Sequence, residues 1–296
     1  MRVLIVGCGY IGAALGSELV RRGHEVVGLR RGDSQDSELH AAGIRPVHAD
    51  ITRAADLRVL SDPFDWIVNC ISTGGGRAED YRRVYLAGMR NLLAWLAHRP
   101  PRRLVYTSST SVYGQTDGSE VDEQSPAEPN SETGQILLET ERALLEAAQE
   151  GNWPAVVLRL SAIYGPGRGY WLQRALRGEW SADTNAGRYL NQIHRDDVVG
   201  CIEAALQRGA TGSIYNATDD EPVRQSDLLR WLSGRRGRAA SREKSAGGGG
   251  ASLRGTSHKR VSNRKLKEEL GYRFEFPTFR EGYQAELGRI RPQDCI

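Results

Sequence analysis

The chain has 296 residues, enough for one large or two modest domains with a substantial core. Charged residues make up 26% and hydrophobic ones 39%, which excludes a disordered or fibrous chain, and no run approaches the ~20 apolar residues that cross a bilayer. A net charge of +3 is too slight to demand nucleic acid, and four cysteines without C-x-x-C spacing suggest neither a disulfide framework nor a thiol zinc site.

Short apolar runs alternate with helical stretches through the first half. Val3–Val6, Val26–Leu29, Ile44–Val47, Trp66–Asn69, Leu104–Thr107 and Ala155–Leu160 read as strands. Between the first two, Ile11, Leu15 and Leu19 recur at helical spacing, and Gly23 stops the helix. Residues 81–98 and 135–149 carry leucines at the same period. This alternation predicts an α/β fold with a parallel sheet over residues 1–165. Beyond Gly165-Pro166-Gly167 the regularity loosens. Helices at 195–208, 224–233 and 263–270, with strands near 188–190 and 213–216, predict a smaller α+β lobe within 166–296. A strand or helix from 188–216 is expected to return to the first domain. Residues 234–257, rich in Gly, Ser and Arg, read as a mobile loop. Met1 to Gly7 is too short an apolar stretch for a signal peptide, so a cytoplasmic protein is expected.

Chemistry enters at Gly7-Cys8-Gly9-Tyr10-Ile11-Gly12, a G-x-G-x-x-G run directly after the first strand and opening the first helix. Its glycines serve a tight turn, close backbone approach to a pyrophosphate, and helix-to-strand packing, with the helix N-terminus facing the anion. The second strand ends in Arg30 and Arg31 rather than in an acid. A guanidinium fork suits a ribose 2′-phosphate, so NADP(H) is the expected cofactor, with NAD the alternative if Asp33 approaches the ribose instead.

Several stretches together resemble the extended short-chain dehydrogenase/reductases, the NAD-dependent epimerase/dehydratase group. Beside the glycine loop they are His48-Ala49-Asp50-Ile51, Val105 to Gly114, Leu158 to Gly167, and Ile193 to Val198. The resemblance implies a Rossmann-type doubly wound sheet and a substrate lobe, often serving nucleotide-sugar chemistry. It places Asp50 and Ile51 beside the adenine and has Ser109 hydrogen-bond the reacting oxygen of the substrate. Family habit also suggests a homodimer. Members carry a Tyr-x-x-x-Lys pair one helical turn apart, whose ammonium lowers the phenol's pKa. Here Thr133 stands at the Tyr position and Leu137 at the Lys position. No tyrosine in the chain is followed four places later by lysine, and the first 243 residues contain no lysine at all. Tyr85 replaces an asparagine that supports the relay in relatives.

The catalytic candidates are therefore Ser109, Thr133 and Tyr85, each weighed against a plain packing role. His194 and Glu132 are lesser candidates, the former better placed as a structural residue. Asp196 and Asp197 suit the positive end of a helix. Tyr113 and Tyr164 are expected to pack. Arg235, Arg236, Arg238, Arg242, Arg254, Lys259 and Arg260 form a basic segment that either clamps substrate phosphates or is simply solvated. No metal-binding or nucleophile-elbow motif occurs. The expectation is an NAD(P)-binding oxidoreductase or epimerase-like enzyme acting on a small polar substrate, with a non-catalytic dinucleotide sensor as the rival.

Overall fold

The computed structural model of the chain describes residues 1–60, 63–97, 99–177, 187–235 and 257–289. In chain order, β1 (Arg2–Val6), α1 (Tyr10–Arg21), β2 (Glu25–Arg30), α2 (Asp36–Ala41), β3 (Arg45–His48) and β4 (Trp66–Asn69) form the first winding. Then come α3 (Ala78–Tyr81), a π-helical turn (Arg82–Ala87) and α4 (Gly88–Leu96), followed by β5 (Arg103–Ser109), β6 (Glu120–Val121), α5 (Glu132–Glu150) and β7 (Ala155–Leu160). The remainder comprises β8 (Ala162–Tyr164), α6 (Tyr170–Leu176), β9 (Tyr189–Leu190), β10 (Gln192–His194), α7 (Arg195–Arg208) and β11 (Ile214–Ala217). It ends with β12 (Val223–Arg224), α8 (Gln225–Gly234), β13 (Arg260–Val261), α9 (Arg264–Leu270) and α10 (Phe279–Arg289).

Seven parallel strands form the central sheet in the order β11-β7-β5-β4-β1-β2-β3. Its inner strands read as continuous apolar runs because both faces are covered. Met89, Leu92, Leu137 and Leu144 from α4 and α5 cover one face, while Leu15, Leu19, Val198 and Ile202 from α1 and α7 cover the other. The fold is thus a doubly wound α/β sheet, and the strand order reverses between β1 and β4. Ligands of such sheets bind outside the carboxyl ends of the strands at that reversal.

The chain from 188 onward returns to the sheet: α7 packs on α1 and β5, and β11 adds an edge strand beside β7. A smaller, separate hydrophobic cluster is formed by Trp171, Leu172, Leu228, Leu232, Phe279 and Tyr283. Short strands β6 and β13 pair in parallel and tie the end of the chain to the first half. Of the Gly/Ser/Arg-rich segment, residues 236–256 lie outside the described residues, and with them Arg236, Arg238, Arg242 and Arg254. The stretch read as one helix over 81–98 instead opens into a π-helical turn midway, with Tyr85 inside it. Such wide turns insert one residue into the ladder and commonly sit at functional sites.

Candidate active site

A cavity of about 460 Å³ runs along the carboxyl ends of β1 to β5 and β7, at the reversal of strand order. Its walls come from Gly7 to Ile11, Arg30 and Arg31, Asp50 and Ile51, Cys70 to Ser72, Tyr85, Ser109, and Leu160 to Arg168 in part.

The glycine loop is built as its spacing implies. Gly7 sits at φ +92°, and a Cβ there would lie 2.7 Å from the Ile71 backbone. A Cβ on Gly12 would lie 2.5 Å from the Gly7 carbonyl oxygen, so this position lets α1 approach β1. Above Gly9 there is nothing within 4 Å, which leaves open space over the amide end of α1. That helix has no side-chain cap and no acid in its first turn, so its N-terminal amides face the cavity without a side-chain partner among the described residues. Tyr10 begins the helix; burial pushes its phenol up to about 12, against the lowering effect of Arg195 and Arg168.

Arg30 closes β2, and its Nε and Nη1 are buried without a hydrogen-bond partner among the described residues. Arg31 lines the cavity beside it, whereas the exposed Asp33 does not. Asp50 takes the Thr52 amide on Oδ1 at 2.9 Å. Burial works against its carboxylate, but the contacts with Thr52, joined by Arg31 and Arg53, outweigh it and hold the carboxyl below its usual range. Ile51 lies 5% exposed against Asn91 and Gly88, with its carbonyl accepting Asn91 Nδ2 at 2.9 Å. Arg30, Arg31, Asp50, Ile51 and the glycine loop therefore share one cavity.

Ser109 ends β5, lines the same cavity, and accepts the Ser111 amide on Oγ at 3.2 Å. Tyr85 lines it as well, its ring 5.0 Å from that of Tyr81. Thr133 is not brought to the cavity wall: its hydroxyl lies 3.3 Å from Ser131 Oγ, the cap of α5. Leu137 is 5% exposed in the apolar core beside Tyr85. Among the described residues no lysine lines the cavity.

The remaining candidates lie off the cavity wall. Fully buried His194 caps α7, accepting the Asp196 amide on Nδ1 at 3.2 Å, with Nε2 3.2 Å from Glu286. Asp197 accepts Tyr272 Oη and two backbone amides; burial pushes its carboxyl up despite them. Glu132 is exposed. Tyr113 donates to Asn216, and Tyr164 stacks on Tyr283 at 4.3 Å. Of the basic segment, Lys259 is buried with Nζ 2.5 Å from the Tyr113 carbonyl, Arg260 donates to Gly118, and Arg235 donates to Gln284. None of the three lines the cavity. Burial pushes the Cys8 thiol up to about 11, with Arg30 opposing, and raises Cys70 further still, so neither lining cysteine is a ready nucleophile. Sequence reasoning did not single out Ser108, Ser161 and Arg168. Ser108 and Ser161 carry buried, unpartnered hydroxyls on the wall, and only their place at strand ends hinted at that.

Among the described residues no helix is long and apolar enough to cross a membrane, and no cluster of three or more His, Cys, Asp or Glu is placed to hold a metal.

Comparison with known proteins gives the same architecture. The chain is 33% identical over 227 residues to Protein YeeZ of Escherichia coli K12, covering 73% of this chain and 76% of that one. It is 30% identical over 252 residues to 2-alkyl-3-oxoalkanoate reductase of Stenotrophomonas maltophilia, covering 78% and 74%. A solved structure from Methylobacillus flagellatus, assigned there to the NAD-dependent epimerases/dehydratases, superposes with a TM-score of 0.77 at 33% identity, covering 97% of this chain and 98% of that one. Residues 3–218 match the NAD dependent epimerase/dehydratase family as a whole. With the glycine loop, the strand reversal and the cavity in register with that match, the chain belongs to the NAD dependent epimerase/dehydratase family.

Proposed function

We propose that the protein is an NADP(H)-preferring oxidoreductase acting on a small polar, sugar-like carbonyl or alcohol at the Ser109–Tyr85 end of the cavity. One observation carries this reading. A single cavity holds an unpartnered guanidinium where a 2′-phosphate would lie, and two hydroxyls at its far end where a substrate oxygen would lie. Gly7, Gly9, Tyr10 and Ile11 would hold the diphosphate, with Gly12 letting α1 pack close to β1 behind them, while Arg30 and Arg31 would take the 2′-phosphate and Asp50 and Ile51 the adenine. When bound, the nicotinamide supplies the capacity to give or take a hydride.

The chain's own residues orient the substrate and handle its proton. Ser109 Oγ already accepts one amide, which leaves its hydroxyl proton to donate to the substrate oxygen. Tyr85 holds the proton that this oxygen gains on reduction or loses on oxidation. Leu137, at the position where the family carries its lysine, packs in the same apolar cluster as Tyr85. The reductase among the relatives supports carbonyl chemistry. Thr133 and Leu137 favour a second reading, a non-catalytic sensor that binds the dinucleotide and reports its redox state.

The test is NADPH consumption by purified protein across a panel of ketones and oxidised sugars. Tyr85→Phe is expected to lower kcat by roughly 10²- to 10⁴-fold with dinucleotide affinity unchanged. Tight NADPH binding without turnover of any carbonyl would support the sensor reading instead.

A further inference from the structure

The wall of the cavity that faces the glycine loop is built by Leu160, Ser161, Ile163 and Arg168. The turn carrying Arg168 is closed by two backbone bonds, Gly165 N to Arg168 O at 2.8 Å and Arg168 N to Gly165 O at 2.9 Å. Gly165 and Gly167, at φ +147° and +70°, allow the chain to fold back so tightly. The doubly bonded turn fixes where the Arg168 side chain leaves the backbone, and its guanidinium carbon rests 5.2 Å from the Tyr10 ring centroid.

Tyr10 is the residue directly after Gly9, so Arg168 reaches from one wall to the amide end of α1 on the other. Arg195 approaches the same ring at 5.4 Å, but it is committed to Asp196 at 2.8 Å. Arg168 has no ion pair or side-chain hydrogen bond among the described residues, and it is exposed to the cavity. Within the same wall Ser161 is 6% exposed with its hydroxyl unpartnered. A guanidinium without an ion pair, an orphaned hydroxyl, uncapped helix amides and the open space over Gly9 therefore line one cavity. Only an anionic, hydrogen-bond-accepting group satisfies that combination.

We propose that Arg168 is a clamp for the diphosphate of the bound dinucleotide, offered from the wall opposite the glycine loop. This rests on the dinucleotide reading above. Stacked on the Tyr10 ring, the guanidinium keeps its N–H edge free to donate two bonds to phosphate oxygens, while the helix amides take the other side. Arg168 already rests on the Tyr10 ring without a ligand, so the clamp is set in place before the diphosphate arrives.

The test measures binding of NADPH, 2′-phospho-ADP-ribose and adenosine 2′-monophosphate to the full chain, with wild type, Arg168→Ala and Arg168→Lys. Arg168→Ala is expected to weaken NADPH and 2′-phospho-ADP-ribose alike by roughly 10- to 100-fold and to leave adenosine 2′-monophosphate unchanged. Arg168→Lys should recover part of the loss, and the thermal midpoint without ligand should not move for either variant. Unchanged NADPH affinity would overturn the proposal. So would an equal loss for adenosine 2′-monophosphate, which has no diphosphate, or a loss confined to NADPH, which would put the guanidinium on the nicotinamide. Dinucleotide bound normally by wild type but indifferent to Arg168 sinks the clamp alone; wild type that binds no dinucleotide sinks the cofactor reading and the clamp with it.

Discussion

Arg30 offers the sharpest check on cofactor choice. Its Nε and Nη1 are buried with no protein partner, so the folded protein bears the cost of two desolvated donors and recovers it only when an acceptor arrives. Charge-assisted bonds from two such donors are worth about 1.5 kcal/mol each at the low end, and discounting for the half-open site leaves about 2 kcal/mol. Arg30→Ala is then expected to weaken NADPH by roughly 30-fold and NADH by less than about twofold. Fluorescence titration of both dinucleotides against wild type and variant measures the two ratios directly. Since no protein partner is lost, the unliganded variant should unfold at the same temperature or slightly above. Equal losses for NADPH and NADH, or a wild type that prefers NADH, would refute the assignment and hand the ribose to another group.

The strands and the glycine loop were legible because their signals are local. Runs such as Val3–Val6 and Ala155–Leu160 bury every residue, and a chain buried on both faces shows it in composition alone. What escaped detection depends on where distant segments meet. The π-helical turn at Arg82–Ala87 adds one residue to a register that leucine spacing cannot resolve, yet it decides that Tyr85 faces the cavity. Lys259 reads in the sequence as one charge of a solvated basic run, but pairing of β13 with β6 carries it under the Tyr113 carbonyl. Arg168 follows a Gly-Pro-Gly turn whose aim is set by two hydrogen bonds and not by residue type. Conversely, that Thr133 and Leu137 are neither a phenol nor an ammonium is read from residue identity alone, and the fold adds only that Thr133 does not line the cavity and that Leu137 is buried in the core.

Three further perturbations separate binding from stability. Gly9→Ala places a methyl where nothing lies within 4 Å, so it should leave the unliganded melting temperature unchanged while weakening dinucleotide binding more than about tenfold; a stability loss instead would mean the space is not the cradle. Arg159→Met strands Glu141, with which Arg159 makes a 2.7 Å pair at 3% and 1% exposure, and should cost about 3–5 kcal/mol by urea unfolding. Adding Glu141→Leu should restore most of that, and failure to do so would show the pair is not the source. Lys259 predicts a pH dependence with a definite sign. Burial lowers its ammonium from 10.5 to about 8, so below about 8 the group is charged folded and unfolded, and the folded state bears the full burial cost. Between about 8 and 10.5 the unfolded chain holds the proton that the folded chain has released, so stability contributed by this group rises with pH, by up to about 3 kcal/mol across the window. Wild type minus Lys259→Met, compared by urea unfolding at neutral pH and again near pH 9.5, isolates that term from every other titrating group. Parallel pH profiles for the two proteins would mean that the bonds to the Tyr113 carbonyl and Ser257 hold the ammonium charged in spite of its burial.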